Sequence, residues 1–531
     1  MPLTDMPAET LQEQLKVDYS PASSRYFDPA RQAFLNGCVN FAKGLLSVAI
    51  TLALTPFLVT HLGTSGFGIW SLLGLFITYV GLIDLGISGA AAKFIGELSA
   101  GQDVDQISRV FTSAMALIGI LACSAFLLAF LLRSNLEAGL ATFGLFGSDA
   151  KIFLIGAAGI YSVGLISNGL QYVLLGLHRL DVANYIAASV LLVQMIGTVV
   201  VLRAGFGLPG LVGLIVVTSV LSSIGFFAAA KRLAPGLRFE WKKSSFATGK
   251  KLMSFGMFLQ VYALVGVYYF YVGKAVVSVR FSLAAVAAYE VALRLPILFR
   301  GGILTVLGPL MPAVSRLNAC GGTEEVKSLL VKAIRYSLLL GAPIFVGVAV
   351  FAGPIIRLWV GPGFSNSVLP LRILSIALGL SVFPDLVWYF LVGLGRQRLA
   401  VVFSLAVVIM GTLLTYVLAA RWELAGVALG VLSTSLLGVV FYAALLVREG
   451  VLSLSDLPVS LGYKAIATAS ASYLIFFALA RRFHGSDWNS LLAMSLASAV
   501  YVLSLVKGGV LENNERLFLR RFVPSSLEFL C

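Results

Sequence analysis

The chain is 531 residues long, 59% hydrophobic and 12% charged, with a mean hydropathy of +0.96. A water-soluble chain of that length could not cover so much apolar side chain with polar surface, so a bilayer is its solvent. The formal charge of +14 is spread over short loops between apolar runs and builds no soluble basic domain, which removes nucleic acid as a partner. Cys38, Cys123, Cys320 and Cys531 lie far apart without a CxxC spacing, and the chain has 3 histidines. No disulfide, metal or other cofactor is expected.

Apolar runs of about 20 residues recur along the chain, the length a membrane-spanning helix needs. Lipid offers backbone groups no partner, and barrel strands would alternate apolar and polar, so the expected fold class is all-α and polytopic. The runs predict fourteen spans, near 33–60, 65–92, 108–132, 151–175, 182–203, 207–230, 250–274, 284–312, 330–354, 366–393, 398–420, 424–447, 463–480 and 489–507. Residues 1–32 are polar and lack the basic, apolar and cleavage regions of a signal peptide, so the first span is expected to act as its own insertion signal. An even span count puts both termini on one side. Of the 38 Lys and Arg residues, 25 then fall on that side and 9 on the other, which places both termini in the cytoplasm.

Seven bases lie between Lys231 and Lys251, and this stretch reads as a cytoplasmic linker, a topology anchor beside anionic lipid. It divides a six-helix bundle over 33–230 from a second over 250–447, with the linker at 231–249. Two further helices fill 448–507, and 508–531 is a cytoplasmic tail. The halves are weakly alike: AAAKFIGEL (90–98) and MPAVSRLNA (311–319) both follow the second span of a half, roughly 220 residues apart. Repeats of this kind build a binding cavity at their interface in transporters. No outward loop is long enough to fold alone, and neither a phosphate-binding glycine loop nor a nucleophile elbow is present in the sequence, so the chain is not expected to be an enzyme.

Charge at bilayer depth is costly and faces a cavity or a partner. At about 1.5 Å per residue, Lys43 and Arg294 lie near the middle of their spans, with Arg300 nearer the cytoplasm. Asp84, Asp385 and Arg372 lie near span ends and are weaker candidates. Glu290 stands four residues before Arg294, so acid and base share a helix face, and Pro296 follows. They either neutralise each other in the bundle or line a cavity. Lys43 has no acid in its span, and Arg300 adds a second base expected to be unpaired. Deep charge is thus basic, three bases against Glu290, which suits an anionic group such as phosphate. Asn40, Asn168, Gln171, Gln260, Tyr262, Tyr268, Tyr269 and Tyr271 are the polar groups of the same spans. Gln260 and Tyr262 are deep enough to line a sugar path, though hydrogen bonds between helices account for them equally.

The series FLVTHLG (57–63), FGIW (67–70), LIDLG (82–86) and AAKFIGE (91–97) resembles the O-antigen and polysaccharide flippases, the Wzx-like branch of the multidrug/oligosaccharidyl-lipid/polysaccharide (MOP) exporter superfamily. AAYEVALRLP (287–296) and MPAVSRL (311–317) extend the resemblance, which covers roughly 35–450. It implies a MATE-like fold of two six-helix bundles in the bacterial cytoplasmic membrane. It also implies a flippase that moves a polyprenyl-pyrophosphate-linked oligosaccharide to the outer leaflet by alternating access, with basic cavity residues, here Lys43, Arg294 and Arg300, receiving the pyrophosphate. Glu290, Gln260 and Tyr262 complete the expected substrate site. The implied partners are membrane lipid, the lipid-linked oligosaccharide and other polysaccharide-assembly membrane proteins. A cation-coupled multidrug exporter of the same fold is the alternative, and it would require acidic residues deep in a lobe, where only Glu290 stands.

The charge asymmetry predicts that reporter fusions after Arg232 and after Arg448 both read cytoplasmic. A periplasmic signal after Arg448 alone would show an odd error in the span count between them.

Overall fold

The computed structural model describes residues 29–80, 84–99, 104–141, 145–241, 244–308, 310–449, 463–482 and 486–507. Most of the expected N-terminal segment and the tail 508–531 lie outside these residues, as do the side chains of Asn40, Tyr262, Tyr268 and Tyr269. Within the described residues all regular structure is helical. The first half comprises α1 (Pro29–Val80), α2 (Ile87–Ser99), α3 (Val104–Leu131), α4 (Arg133–Ala141), α5 (Gly147–Gly176), α6 (Leu180–Arg203) and α7 (Gly207–Leu233). The second comprises α8 (Phe246–Arg280), α9 (Leu283–Leu307), α10 (Leu310–Ala319), α11 (Thr323–Val350), α12 (Ala352–Trp359), α13 (Val368–Gly393) and α14 (Gln397–Arg448). Finally come α15 (Tyr463–Arg482) and α16 (Asp487–Lys507).

Eight helical segments among the described residues are long and apolar enough to cross a membrane. Large apolar side chains face outward along them, among them Phe130, Ile155, Leu413 and Val440, each more than 60% exposed. In water such a surface would aggregate; in a bilayer it is the ordinary lipid face. The all-α membrane expectation is therefore met. The chain turns back at Gly63, whose φ of 68° and ψ of 176° divide α1 into two arms, and again at Trp422 and Glu423 within α14. The end of the molecule that carries residues 234–245 is called the linker face below, and the end that carries Gly63 the distal face.

Two prolines shape the packing. Pro56 cannot donate to the carbonyl of Leu52 one turn earlier, and the freed oxygen accepts from the Trp359 indole Nε1 at 2.8 Å. Pro343 frees the carbonyl of Leu339 in the same way, and Tyr501 Oη donates to it at 3.0 Å. In hydrocarbon a bare carbonyl costs several kcal/mol, so each kink demands a donor, and each donor comes from a distant element.

The second span of each half ends in a separate short helix. In the first half α2 is preceded by a turn at 84–86, where Leu85 and Gly86 take positive φ (53° and 68°). Asp84 restarts the chain by accepting from Ser88 Oγ at 3.2 Å and Ser88 N at 3.4 Å, which begins α2. In the second half Gly308 closes α9, and α10 follows. Both short helices pack against the last residue of a long one. A Cβ on Gly176 would meet the Ala92 carbonyl and Ile95 at 2.8 Å, and one on Gly393 the Met311 carbonyl and Val314 at 2.9 Å. Each of the two peptides compared by sequence thus lies against the last glycine of a long helix.

One buried core joins α2, α3, α5 and α7 with Leu252 of α8, and a larger one joins α8, α9, α11, α13 and α14 with Leu58, Val59 and Phe67 of α1. The halves also touch backbone to backbone. A Cβ on Gly256 of α8 would lie 2.4 Å from the Leu85 carbonyl, and one on Gly86 2.2 Å from the Gly256 carbonyl. Gly256→Val should therefore force α2 and α8 apart, at a cost of about 1–3 kcal/mol. A lowered melting midpoint of the purified variant is expected, with Gly44→Ala, which nothing approaches within 4 Å, as the unchanged control.

Candidate functional site

Three charged side chains meet where α8 and α9 face both arms of α1. The Glu290 carboxylate accepts from Arg294 Nε at 3.0 Å through one oxygen. Through the other it contacts Lys274 Nζ at 2.8 Å and accepts from Ser71 Oγ at 3.0 Å. Arg294 Nη1 donates to Thr55 Oγ1 at 2.7 Å, and its guanidinium stands over the Phe67 ring, 5.3 Å from the centroid. All three are withdrawn from solvent, with side-chain exposures of 4% for Lys274, 14% for Glu290 and 16% for Arg294. Two cations and one anion leave a net charge of +1 at the boundary between the halves.

The charges sit on the second half, and the first half supplies only neutral cover: Thr55, Ser71 and Phe67. Thr55 is available because its hydroxyl already donates one turn back, to the Thr51 carbonyl at 2.6 Å, which leaves its lone pairs for Arg294. Gly68 beside Phe67 lets α1 close on α9, since a Cβ there would lie 2.2 Å from the Leu283 carbonyl. Moving the halves apart would strip the neutral donors and acceptors from a cationic surface without taking away its countercharge. That is the arrangement an anion needs if it is to be bound in one state and excluded in another.

The sequence-based site divides in three. Glu290 and Arg294 are paired on one face as the i, i+4 spacing requires. Arg300 is a correction: it is buried and donates to Ser381 Oγ at 2.9 Å and to the Asp385 carboxylate, so the base expected to be unpaired ties α9 to α13. Lys43 is also placed differently. It donates to Asn184 Oδ1 at 3.2 Å, four residues into α6 from the linker face. Thr55, which touches Arg294, lies twelve residues further along the same arm of α1, about 18 Å at 1.5 Å per residue. Lys43 and Arg294 therefore do not share a depth, and the structure does not bring them together. Gln260 is half-buried on α8, Arg372 is exposed, and Tyr262 is outside the described side chains.

Lys274 was missed because the seventh span was expected to end there. The helix runs on to Arg280, six residues or about 9 Å further, which puts Lys274 inside it. Its flanks, YVGKAVV, are apolar on both sides and carried the signal. Thr55, Ser71, Asn184 and Ser381 were passed over as single hydroxyls and amides in apolar runs, whose partners lie on other helices.

The family description "Polysaccharide biosynthesis protein" matches residues 57–369, from the distal half of α1 to the start of α13. The chain belongs to that family. The matched stretch holds the Lys274–Glu290–Arg294 cluster and Arg300 but neither Lys43 nor α15 and α16. Among curated proteins, "Uncharacterized membrane protein EpsK" of Bacillus subtilis (strain 168) is 24% identical over 348 residues, 62% of this chain and 66% of that protein. "Probable low-salt glycan biosynthesis flippase Agl15" of Haloferax volcanii is 26% identical over 134 residues, 25% of this chain and 28% of that protein. The chain thus spans just under two thirds of the first relative's length and much less of the second's. Two solved structures share its fold. The lipid II flippase MurJ, in an inward closed conformation, superposes with a TM-score of 0.66 at 15% identity, over 89% of this chain and 100% of that one. An inward-facing multidrug resistance MATE family transporter of the MOP superfamily does so with 0.65 at 16%, over 77% and 98%. Family and fold agree with the resemblance carried by the peptides of α1, α2, α9 and α10.

The charge count makes a test of the cluster itself. Glu290→Gln leaves Lys274 and Arg294 buried against each other and should cost about 3–5 kcal/mol, seen as poor recovery and early melting of the purified protein. Lys274→Met leaves Glu290 and Arg294 as a neutral pair in a site of similar volume, so this variant should melt close to the parent. Equal melting of the two variants would show that the cluster does not hold its charges as a unit.

Proposed function

We propose that the chain is a flippase that carries a polyprenyl-pyrophosphate-linked oligosaccharide across the cytoplasmic membrane during polysaccharide assembly, by alternating access between its two halves, and that it catalyses no covalent step. The observation that carries this reading is the net positive cluster at the boundary between the halves, charged on one side and neutral on the other. Family membership supports the pathway, the Agl15 likeness supports a lipid-linked glycan, and the fold shared with MurJ supports the motion. A diphosphate that crosses hydrocarbon needs fixed cations around it, and Arg294, presented with its own Lys274 beside it, offers a planar fork to two phosphate oxygens.

In this reading the topology is the fourteen-span one, with both termini and the linker cytoplasmic, bundles at 33–230 and 250–447, and two added helices at 448–507. The matching short helices α2 and α10, each against a terminal glycine of a long helix, support the repeat. Lys43 then lies on the cytoplasmic side and Arg294 in the outer half. We assign them successive places on one route: Lys43, whose partner Asn184 keeps its buried side-chain nitrogen Nδ2 without a hydrogen-bond partner among the described residues, meets the diphosphate first, and Arg294 holds it once the inner side is open. Glu290 holds Arg294 in position, and Gln260 of α8 faces the sugars. Arg300, engaged with Asp385, is a strut of the second half. A net positive site also disfavours a cation-coupled multidrug exporter, whose cargo it would repel.

Arg294→Ala leaves Lys274 and Glu290 as a neutral pair, so the variant should reach the membrane in normal amount. Its export of glycan should fall about ten- to hundredfold, the worth of one charge-assisted hydrogen bond at about 1.5–3 kcal/mol. Lys should replace Arg294 poorly, and Arg should replace Lys43 well, because a point charge suffices there. Mass spectrometry of lipid extracts checks this: the Arg294→Ala strain should accumulate lipid-linked oligosaccharide. Normal export by both the Arg294→Ala and Lys43→Ala strains would overturn the assignment.

A further inference from the structure

A cavity of about 420 Å³ opens at the linker face, between the last turns of α2 and the first turns of α3 and α8. It takes no part in the site described above. Arg109 and Lys251 line it, and both are exposed. Neither makes an ion pair among the described residues; Lys251 only stands over the Phe94 ring, 4.5 Å from its centroid. Glu97 is the one acid in the lining, and it faces Lys93 at 3.7 Å. Two bases thus share the lining with one acid that Lys93 already faces, with the Ser245 and Thr248 hydroxyls on the α8 side and Phe94 as an apolar floor.

The chain that leads into α8 tells where this cavity lies. Phe246 is 91% exposed and Trp241 66%, and Phe239 stacks edge-on against Trp241 with centroids 5.3 Å apart. Large aromatic side chains left bare beside a helix start, in a chain whose flanks face lipid, mark the membrane–water boundary. The cavity, lined by Ser245, Thr248 and Lys251 next to these rings in the chain, therefore opens at headgroup level, with more bases than acids inside. Its volume exceeds that of a bare phosphate and suits a glycerophosphate headgroup. A fork and an ammonium converging on one space match the oxygens of a phosphodiester.

We propose that this cavity binds the phosphate headgroup of an anionic membrane lipid, with Arg109 and Lys251 as its ligands and Phe94 against the glycerol. The site belongs to the hinge region where the linker enters α8 and α2 meets α8, so a lipid bound there ties the two halves together at the linker face. It does not depend on what the protein transports.

The test uses the purified full-length protein in detergent, titrated with phosphatidylglycerol while its melting midpoint is followed. Phosphatidylglycerol should raise the midpoint and phosphatidylcholine should not. The R109Q/K251Q variant should melt close to the parent without lipid, because the removed charges make no ion pair among the described residues, and should need about thirtyfold more phosphatidylglycerol for the same rise. E97Q should need less than the parent. Should R109Q/K251Q prove unstable, R109K/K251R serves instead and should retain most of the lipid response. Soluble glycerol phosphate that competes with the lipid effect identifies the headgroup as the recognised part. The proposal is overturned if the double variant responds to phosphatidylglycerol as the parent does, if phosphatidylcholine stabilises equally, or if glycerol phosphate alone gives the full rise at lower concentration than the lipid, which would assign the cavity to a soluble phosphate.

Discussion

The Glu290 carboxylate is the constraint around which the middle of this protein is arranged. It accepts from Arg294 and Ser71 and contacts Lys274, and so satisfies cations from two helices and a hydroxyl from the opposite half. Buried charge is tolerated only when paired and hydrogen-bonded, and this one acid does that for two bases. The consequence reaches outward: α8 and α9 must run side by side at the depth of Lys274 and Glu290, α1 must approach closely enough for Thr55 and Ser71 to reach, and Gly68 must have no side chain. The closeness of the halves on the distal side is thus written in the same contacts that hold the charge.

The fold was legible because lipid makes the rule simple. Apolar runs of bilayer length had to be helices and the short polar turns between them had to be surface, so most helix limits came out within a few residues. The span expected at 330–354, however, starts at Thr323, and the one expected at 65–92 runs through the turn before Ile87. The i, i+4 pair of Glu290 and Arg294 was legible for the same local reason. What the sequence could not place was depth along a helix longer than the bilayer is thick. The first arm of α1 begins at Pro29 and runs to the break at Gly63, about 50 Å against a hydrocarbon core of about 30 Å. Counting from its start therefore misplaced Lys43, and ending α8 six residues early hid Lys274. The Arg300 and Asp385 pair, 85 residues apart, has no local pattern at all and needed the packing of α9 on α13 to appear.

Shared architecture and shared chemistry separate cleanly here. The MATE transporter and MurJ superpose about equally well on this chain, so the fold does not choose between a drug and a lipid-linked glycan. The proposed phosphate cargo rests instead on the sign of the buried charge. A cluster with more cations than anions is poor at holding a proton, sodium or a cationic drug and good at holding phosphate, and that sign is set by three side chains in two helices.

The proline at 343 gives the last two helices a meaning that the family match does not supply. The Leu339 carbonyl that this proline leaves unpaired lies in α11, inside the second half, while the hydroxyl that covers it belongs to Tyr501 of α16. Around that bond Phe351, Ala469, Tyr473 and Ala497 form a core of their own. A helix that carries its own defect has, in effect, been built with a vacancy, and the C-terminal hairpin is the part shaped to fill it. The C-terminal hairpin is then no ornament on α11 but the source of the hydroxyl that its proline requires. A relative lacking the hairpin would have to give up the proline or find another hydroxyl at the same depth.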